Sequence, residues 1–364
     1  MAQRLGLHPT AAATVDVAPV PIAKEPDKMH ARTSRMWAAL LACTALMGAA
    51  SAHAGGVTTQ TPGPDGPWDY AAFDAAHGRV LIARGFGVEA LDVATGTLSQ
   101  IAPGARVHTV RALPDGRLMI TNGTAGTVVI ANGATGAPEA TIAVGKDPDA
   151  ATFDAATGLI LAMNADSGDV SLVDPAAGKE VARISVGGAL EWVETDGAGR
   201  AFINVEDRAE LVVLDIKGRK VLARYKLAGC EGPTAMGYVA PYRLLISACG
   251  NGHAKVLSAD DGHQVADLAI GPHPDELVYD AQRGVAYIPT AGSATQGGEI
   301  AVVKVAGPHD VAVVGHIPTT RGARTIAEDP ATGRLYLPTA DYAITAEGKP
   351  KPVAGTFRIL TVTP

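Results

Sequence analysis

One short phrase recurs seven times along this chain of 364 residues and constrains its fold more than any other feature. The phrase is an apolar stretch, an Asp, a tight turn and a second apolar stretch. Its turn positions recur about every 40 residues, at Gly78, Gly116, Gly158, Gly199, Tyr242, Gly284 and Gly333. The fifth copy is the loosest, because Ala240-Pro241-Tyr242 replaces the Asp and the Gly. Strands alternating at this period, without a helical stretch, are typical of β-propeller blades.

Two further strands complete each repeat. A third strand ends in an Asp and a Gly turn, as at 172–178, and a fourth strand follows, as at 182–187. The recurring Asp residues are expected to cap these turns through their side chains, while Gly supplies a positive φ. One blade cannot bury both faces of its sheet, so the repeats must stack around an axis. The sequence therefore predicts an all-β fold, a seven-bladed β-propeller of four-stranded antiparallel blades.

The last repeat lacks a fourth strand of its own. It ends at its third strand, 357–362, and the segment 57–61 is left unassigned before the first blade. Because an open sheet edge invites unwanted pairing, we expect this N-terminal strand to complete the seventh blade and close the ring. Cutting the chain near residue 60 should then cost more stability than the loss of an ordinary terminus.

Residues 1–54 have the character of a leader. Arg32 and Arg35 precede a short apolar run at 36–47, and the small-x-small sequence at 52–54 follows it. This order is typical of a secretory signal peptide. The apolar run is too short to span a bilayer comfortably.

Cleavage is expected after Ala54, with Met29 as an alternative start of translation. Residues 55–364 are then a single exported domain, located in the periplasm, without a transmembrane segment. The leader carries five Lys and Arg and three Asp and Glu, so 25 basic and 34 acidic residues remain, a formal charge of −9. An acidic balance disfavours binding to a phosphate backbone.

Two cysteines lie in the exported part. Cys230 comes just before the first strand of the fifth repeat, and Cys249 ends its second strand. Those strands are predicted to be antiparallel, so the start of one meets the end of the next. In an oxidising compartment this geometry favours a disulfide, worth about 3 kcal/mol in the chain-entropy model. A metal or redox site would need more ligands or a Cys-x-x-Cys spacing.

The loops before each first strand and after each second strand should cluster on one face, around the mouth of the central channel. That face is the default place for a ligand, because variable loops are held there by rigid blades. Aligning the repeats brings together Asp69, Thr109 beside His108, Asp149, Glu191, Thr234, Asp275 and Arg324. The neighbouring loops add Glu231, His273, Asn164, Asp166, Glu206, Asp207, Asn251, His253 and Arg321.

This mixed ring of carboxylates with one Arg could hold a cation or a polar organic ligand. The alternative is that its members are solvated polar loop tips. Familiar catalytic signatures are missing, since the sequence has no Gly-x-Ser-x-Gly elbow, His-Glu-x-x-His or phosphate loop. We predict no cofactor, with a divalent cation as the alternative, and leave open whether the chain is an enzyme, with a binding protein favoured.

Laid out in this way, residues 57–364 resemble the YncE-like, YVTN-repeat seven-bladed β-propellers that are exported to the bacterial periplasm. The segments that carry the resemblance are the hairpin phrases, the Ile-x-Val-Gly endings at 142–145 and 184–187, and the local matches at 148–150, 204–207, 230–234, 247–249 and 322–325. The resemblance implies a WD-like repeat fold. It implies less about activity, because some relatives are similar to single-stranded DNA binders, and lactonases and a streptogramin lyase share the architecture.

Three functional hypotheses follow. In the first, the chain is a monomeric, exported propeller that binds a small molecule or a protein partner at the channel-mouth face. In the second, rim carboxylates hold a divalent cation that activates water, as in an enzyme of the lactonase or lyase type. In the third, the chain binds single-stranded DNA, against which its acidic balance argues.

Overall fold

The computed structural model describes residues 55–293, 295–345 and 349–364. Strands make up almost all of its regular structure, and no α-helix occurs in these residues. No helix among them is long and apolar enough to cross a membrane. The predicted leader, its cleavage site and the Met29 start lie outside the described residues.

Seven four-stranded antiparallel sheets form the blades. The first strand of the described residues, β1 (Gly56–Pro62), joins the last blade. Blade one contains β2 (Trp68–Asp74), β3 (Arg79–Arg84), β4 (Gly87–Asp92) and β5 (Leu98–Pro103). Blade two contains β6 (Val107–Ala112), β7 (Leu118–Asn122), β8 (Thr127–Ala131) and β9 (Pro138–Ala143). Blade three contains β10 (Pro148–Asp154), β11 (Leu159–Asn164), β12 (Asp169–Asp174) and β13 (Lys179–Ser185).

The later blades follow the same order. Blade four contains β14 (Leu190–Thr195), β15 (Arg200–Val205), β16 (Glu210–Asp215) and β17 (Lys220–Lys226). Blade five contains β18 (Pro233–Val239), β19 (Leu244–Cys249), β20 (His253–Ser258) and β21 (Gln264–Ala269). Blade six contains β22 (Val278–Asp280), β23 (Val285–Thr290), β24 (Gly298–Gly307) and β25 (Asp310–Thr319). Blade seven contains β26 (Ala327–Glu328), β27 (Leu335–Thr339), β30 (Arg358–Thr363) and the N-terminal β1, with β28 (Tyr342–Ile344) and β29 (Pro350–Pro352) forming a separate hairpin.

The ring closes through the two ends of the described chain. β1 pairs antiparallel with β30, with Val57 opposite Val362 and Gln60 opposite Leu360. Blade seven therefore has the strand order β1-β30-β27-β26. This confirms the predicted fold, including its closure by the N-terminal strand. The β28–β29 hairpin, inserted between β27 and β30, was not predicted.

The second strand of each blade lies deepest in the core. Every residue of β3, β7, β19 and β27 is buried, because these strands have a partner on each side and a neighbouring blade against each face. Burial of each Leu, Ile or Val there contributes about 1.5–3 kcal/mol. The outer strand β17 instead alternates between exposed and half-buried residues, since one of its faces meets solvent.

The recurring Asp residues cap turns, as predicted. The Oδ2 atom of Asp154 accepts hydrogen bonds from the backbone N–H of Thr157 at 2.9 Å and from its hydroxyl at 2.7 Å. Asp174 accepts two backbone N–H groups in the next turn of the same blade. In the loosest repeat a 3-10 turn, Ala240–Tyr242, replaces the Asp-Gly turn, and Arg243 takes the left-handed conformation at φ 52°.

The predicted disulfide is present. Cys230 and Cys249 are bonded, their Cα atoms are 5.4 Å apart, and both residues are buried. The bond ties the loop that enters β18 to the end of β19, on the face where the first strands begin. It therefore fixes one side of the channel mouth.

Candidate functional site

The entries to the first strands converge on a cavity of about 300 Å³ at one end of the channel. We call it the acidic cavity. Within the described part of the chain its lining includes five carboxylates, one Arg and one His. The lining residues are Asp69, Tyr70, Asp149, Glu191, Glu206, Gly232, Thr234, Gly250, His273, Pro274, Asp275 and Arg324.

Most of the predicted site residues are brought together here. Asp69, Asp149, Glu191, His273, Asp275 and Arg324 line the cavity, and His108 lies directly behind it. Glu231 does not join them: it is exposed, and its backbone N–H donates to Oδ1 of Asn251 at 3.2 Å.

Three threonines near the starts of the first strands join neighbouring blades. The Thr109 hydroxyl donates to the backbone carbonyl of Asp149 at 2.9 Å, and the Thr325 hydroxyl donates to that of Asp69 at 3.0 Å. Thr234 makes the equivalent bond to the next blade at 2.8 Å. Each bond fixes the backbone from which a rim side chain projects, so these hydroxyls position the cavity lining.

His108 is the centre of a buried cluster of charges. Its Nδ1 lies 2.6 Å from Oδ2 of Asp69 and 3.7 Å from Oδ1 of Asp149, and its Nε2 lies 3.3 Å from Oδ1 of Asp147. Burial alone lowers the pKa of His108, but the hydrogen bond to Asp69 and the charges of Asp149 and Asp147 raise it to about 9. The imidazole is therefore held as a cation at neutral pH.

The same cluster has the donor set of a metal site. One ligand atom each from Asp69, His108 and Asp149 lie within 4.8 Å of one another. Oδ1 of Asp149, Oδ1 of Asp147 and Nε2 of His108 are buried and have no hydrogen-bond partner among the described residues. Carboxylate and imidazole ligands suit Zn²⁺ and Mn²⁺, so these residues fit a divalent cation.

Three rim carboxyls hold their protons unusually tightly. Burial and the charge of Asp69 raise the pKa of Asp149, and burial and the charge of Asp149 raise the pKa of Glu191. Burial also raises the pKa of Asp275, although the Arg324 guanidinium, with Nε 3.2 Å from Oδ2 of Asp275, opposes the shift. Partly buried carboxyls that outnumber the cations beside them favour their neutral forms.

Two aromatic rings lie beneath the rim. The Tyr70 hydroxyl donates to Oε2 of Glu191 at 3.3 Å, and the rings of Tyr70 and Trp192 meet edge to face with centroids 4.8 Å apart. The Trp192 indole N–H donates to Oε1 of Glu194 at 2.8 Å. Burial raises the pKa of Tyr70 well above its usual range. Trp192 is buried and packs within the hydrophobic core.

The opposite end of the channel carries a second cavity, of about 440 Å³, that Glu194, Glu276 and Arg111 help to line. Glu276 is almost completely buried, and its Oε2 accepts the backbone N–H groups of Ala71 at 3.1 Å and Ile326 at 2.9 Å. Burial raises the pKa of Glu276 to about 8. Its carboxyl bridges blades seven and one, which gives it a structural role.

Sequence reasoning missed Tyr70, Asp147 and Glu276. Tyr70 and Glu276 directly follow the aligned rim residues Asp69 and Asp275, and the alignment selected only one position from each repeat. Asp147 precedes a proline and has φ 53°, a left-handed conformation. In the sequence, its position before Pro148 was the one feature that could have drawn attention to this residue.

Comparison with known proteins supports the fold alone. No protein family and no curated protein matches the sequence. Among solved structures, a chain of the "Crystal Structure of Mitotic Checkpoint Complex" is similar to this one, with a TM-score of 0.67 and 13% identity over 84% of this chain and 93% of that chain. An identity this low carries no activity across. The relation to the YncE-like family stays a prediction.

Proposed function

We propose that this β-propeller binds a small ligand bearing a positively charged group in the acidic cavity. The observation that carries the proposal is the convergence there of five carboxylates with one Arg and one His from the described residues. Charges of one sign around a concave, partly buried space attract a ligand of the opposite sign. The volume of about 300 Å³ suits a small molecule or a single side chain of a partner protein.

A cationic ligand would replace protons. The raised pKa values of Glu191 and Asp149 mean that both carboxyls are partly neutral before a cation binds. An ammonium group favours their charged forms, so binding should release protons and tighten as the pH rises. The Tyr70 ring in the cavity lining adds a surface that favours a cation.

The test uses purified residues 55–364 with butylamine and putrescine as probes and butanol as the neutral control. We expect both amines to bind by calorimetry and butanol to give no heat. Glu191→Gln removes a charge at constant size and should weaken amine binding at least tenfold. Glu231→Gln, on the same face but outside the cavity, is the matched control and should change nothing. Equal binding by both variants would contradict the proposal.

A second candidate function is a metal-dependent hydrolase or lyase of the lactonase type. The clustering of ligand atoms from Asp69, His108 and Asp149 within 4.8 Å favours it. A divalent cation held there would lower the pKa of a bound water and generate a nucleophile at neutral pH. Because His108 must lose its proton to ligate, binding should be tighter above pH 8 than at pH 6.

This candidate is tested by melting the protein with Zn²⁺, Mn²⁺ or Ca²⁺ and then with EDTA. A chelator-reversible rise in Tm supports a metal site, and its loss in Asp149→Asn with retention in Glu231→Gln assigns that site to the rim. Turnover of simple γ-lactones that requires the cation supports the enzyme. The absence of any shift with all three ions counts against it.

We also propose that the domain is exported to the periplasm. The Cys230–Cys249 disulfide supports this, since such bonds persist in oxidising compartments. Expression of the whole chain in a bacterium, followed by fractionation and mass spectrometry, should find a periplasmic protein that begins at Gly55 and has both cysteines oxidised. A cytoplasmic product that retains its leader would contradict the proposal.

A further inference from the structure

A second cavity adjoins the acidic cavity and has the opposite charge. It measures about 480 Å³ and shares His273 and Arg324 with the acidic cavity. We call it the cationic cavity, because within the described residues its lining includes two Arg and no carboxylate. The lining residues are His273, Ala291, Gly292, Ser293, Arg321, Gly322, Arg324, Tyr342, Ile344 and Pro350.

The cationic cavity is built where the repeat is broken. In blades one to five the connection between the second and third strands is short, and none is longer than the blade-two connection, residues 123–126. In blade six it spans 291–297, and in blade seven it spans 340–357 and contains the β28–β29 hairpin. Both extensions contribute lining residues to this one cavity. Additions that the blade fold does not need therefore meet beside the channel mouth.

Its two arginines project from one short turn whose backbone is fixed. The Gly322 N–H donates to the carbonyl of Ala291 at 2.9 Å, and the Thr339 hydroxyl donates to the carbonyl of Arg321 at 3.1 Å. The Arg321 guanidinium lies over the Tyr342 ring, 5.9 Å from its centroid. This turn presents both guanidinium groups to the cavity.

Both guanidinium groups retain free hydrogen-bond donors. Arg324 faces Asp275 through Nε, and 47% of its side chain is exposed. Arg321 has no ion pair with a carboxylate in the described part of the chain. Planar guanidinium groups bind carboxylates through paired N–H donors, so this turn can hold one carboxylate without breaking the Arg324–Asp275 pair.

We propose, building on the cation-binding function above, that the ligand is a small zwitterion that spans both cavities. Its ammonium group lies among the rim carboxylates, and its carboxylate lies on Arg321 and Arg324. The Asp275–Arg324 pair lies at the boundary between the two cavities. Its carboxylate is on the side of the ligand's ammonium group, and its guanidinium is on the side of the ligand's carboxylate. Ile344 and Pro350 supply an apolar wall for the carbon chain between them. The chemical class is therefore a free amino acid or a short aminoalkanoate.

The test compares molecules that differ in their charged groups and in the spacing between those groups. Glycine, 4-aminobutanoate and 6-aminohexanoate vary the spacing of the two charges, while butylamine and butanoate each carry one charge. We expect at least one zwitterion to bind the folded domain ten times more tightly than butylamine in calorimetry, with butanoate weakest. Arg321→Gln should reduce that zwitterion to the affinity of butylamine and leave butylamine binding unchanged. Arg334→Gln, at an exposed hairpin turn, should alter neither.

The outcomes separate the two proposals. If butylamine binds but no zwitterion binds more tightly than butylamine, the zwitterion proposal is wrong and the acidic site stands. The same holds if Arg321→Gln weakens butylamine binding as much as zwitterion binding. If no amine and no zwitterion binds the wild-type protein, both proposals fail. Melting curves show whether Arg321→Gln is folded. Arg321→Lys provides a second variant, which should keep part of the difference in affinity between the zwitterion and butylamine.

Discussion

The two ends of β14 place carboxylates in opposite situations. Asp196, in the turn just after the strand, accepts the backbone N–H groups of Ala198 and Arg200 at 2.8 and 3.0 Å and the Arg200 Nε at 2.8 Å. Glu191, at the channel mouth, accepts one hydrogen bond from Tyr70 and otherwise faces other carboxyls. Despite burial, the Arg200 contacts lower the pKa of Asp196, whereas burial and Asp149 raise that of Glu191.

The difference teaches which acids serve the fold. An acid that recurs with the repeat finds its donors within its own turn, because the turn backbone presents N–H groups there in every blade. The rim acids come from different blades and face one another, with His108, Tyr70 and Arg324 as their side-chain donors. Natural proteins tolerate such unfavourable clusters where a ligand or catalysis needs them. The channel mouth, and not the turns, is therefore the place to look for function.

The largest expected effect is on stability, from a matched pair of amide substitutions. Asp196→Asn removes the charged partner of the partly buried Arg200 guanidinium and should lower the free energy of unfolding by about 2 kcal/mol. Glu191→Gln removes one of several like charges and should leave that free energy unchanged or raise it. Urea unfolding at pH 7 measures both. Equal destabilisation would show that Glu191 also holds the fold together and would remove the contrast.

A smaller effect is expected in the pH dependence of stability. Between about pH 5 and pH 9 the folded rim binds more protons than the unfolded chain, because the pKa values of Glu191, Asp149 and Asp275 are raised. Stability should therefore fall as the pH rises, by more than about 1 kcal/mol. The raised pKa of His108, about 9, acts in the same direction, since its stabilising charge is lost as the pH rises through that value.

Glu191→Gln isolates the rim contribution. It should reduce the dependence of the unfolding free energy on pH. The variant should then be more stable than wild type near pH 8 but not near pH 5. Asp196→Asn should instead lose its effect at low pH, where the wild-type carboxyl becomes protonated. Urea unfolding at half-unit steps of pH checks both. A wild-type protein that is more stable at pH 8 than at pH 5 would contradict the raised pKa values.

The contrast also explains what the sequence could predict. The turn at Gly158 and the closing strand β1 follow from local chemistry and an unpaired edge, so pattern reasoning finds both. The rim residues are found by aligning repeats, because each blade sends the same position to the mouth. The contacts of His108 are not found in this way, since Asp147 lies outside the aligned positions and Asp69 and Asp147 reach the imidazole from two other blades. The β28–β29 hairpin departs from the repeat, so periodicity contains no information about it.

The smallest expected effect comes from Tyr70→Phe, which removes the hydroxyl that donates to Glu191. The bond is long, at 3.3 Å, and partly buried, so the unfolding free energy at pH 5 should change by less than about 1 kcal/mol. At pH 8 the change should stay similar, because the raised pKa of Glu191 keeps its carboxyl largely neutral there. A double-mutant cycle with Glu191→Gln should give a coupling of about 0.5 kcal/mol or more at pH 8. If the two substitutions are strictly additive there, Tyr70 belongs to the core alone and the rim carboxylates lack even this donor.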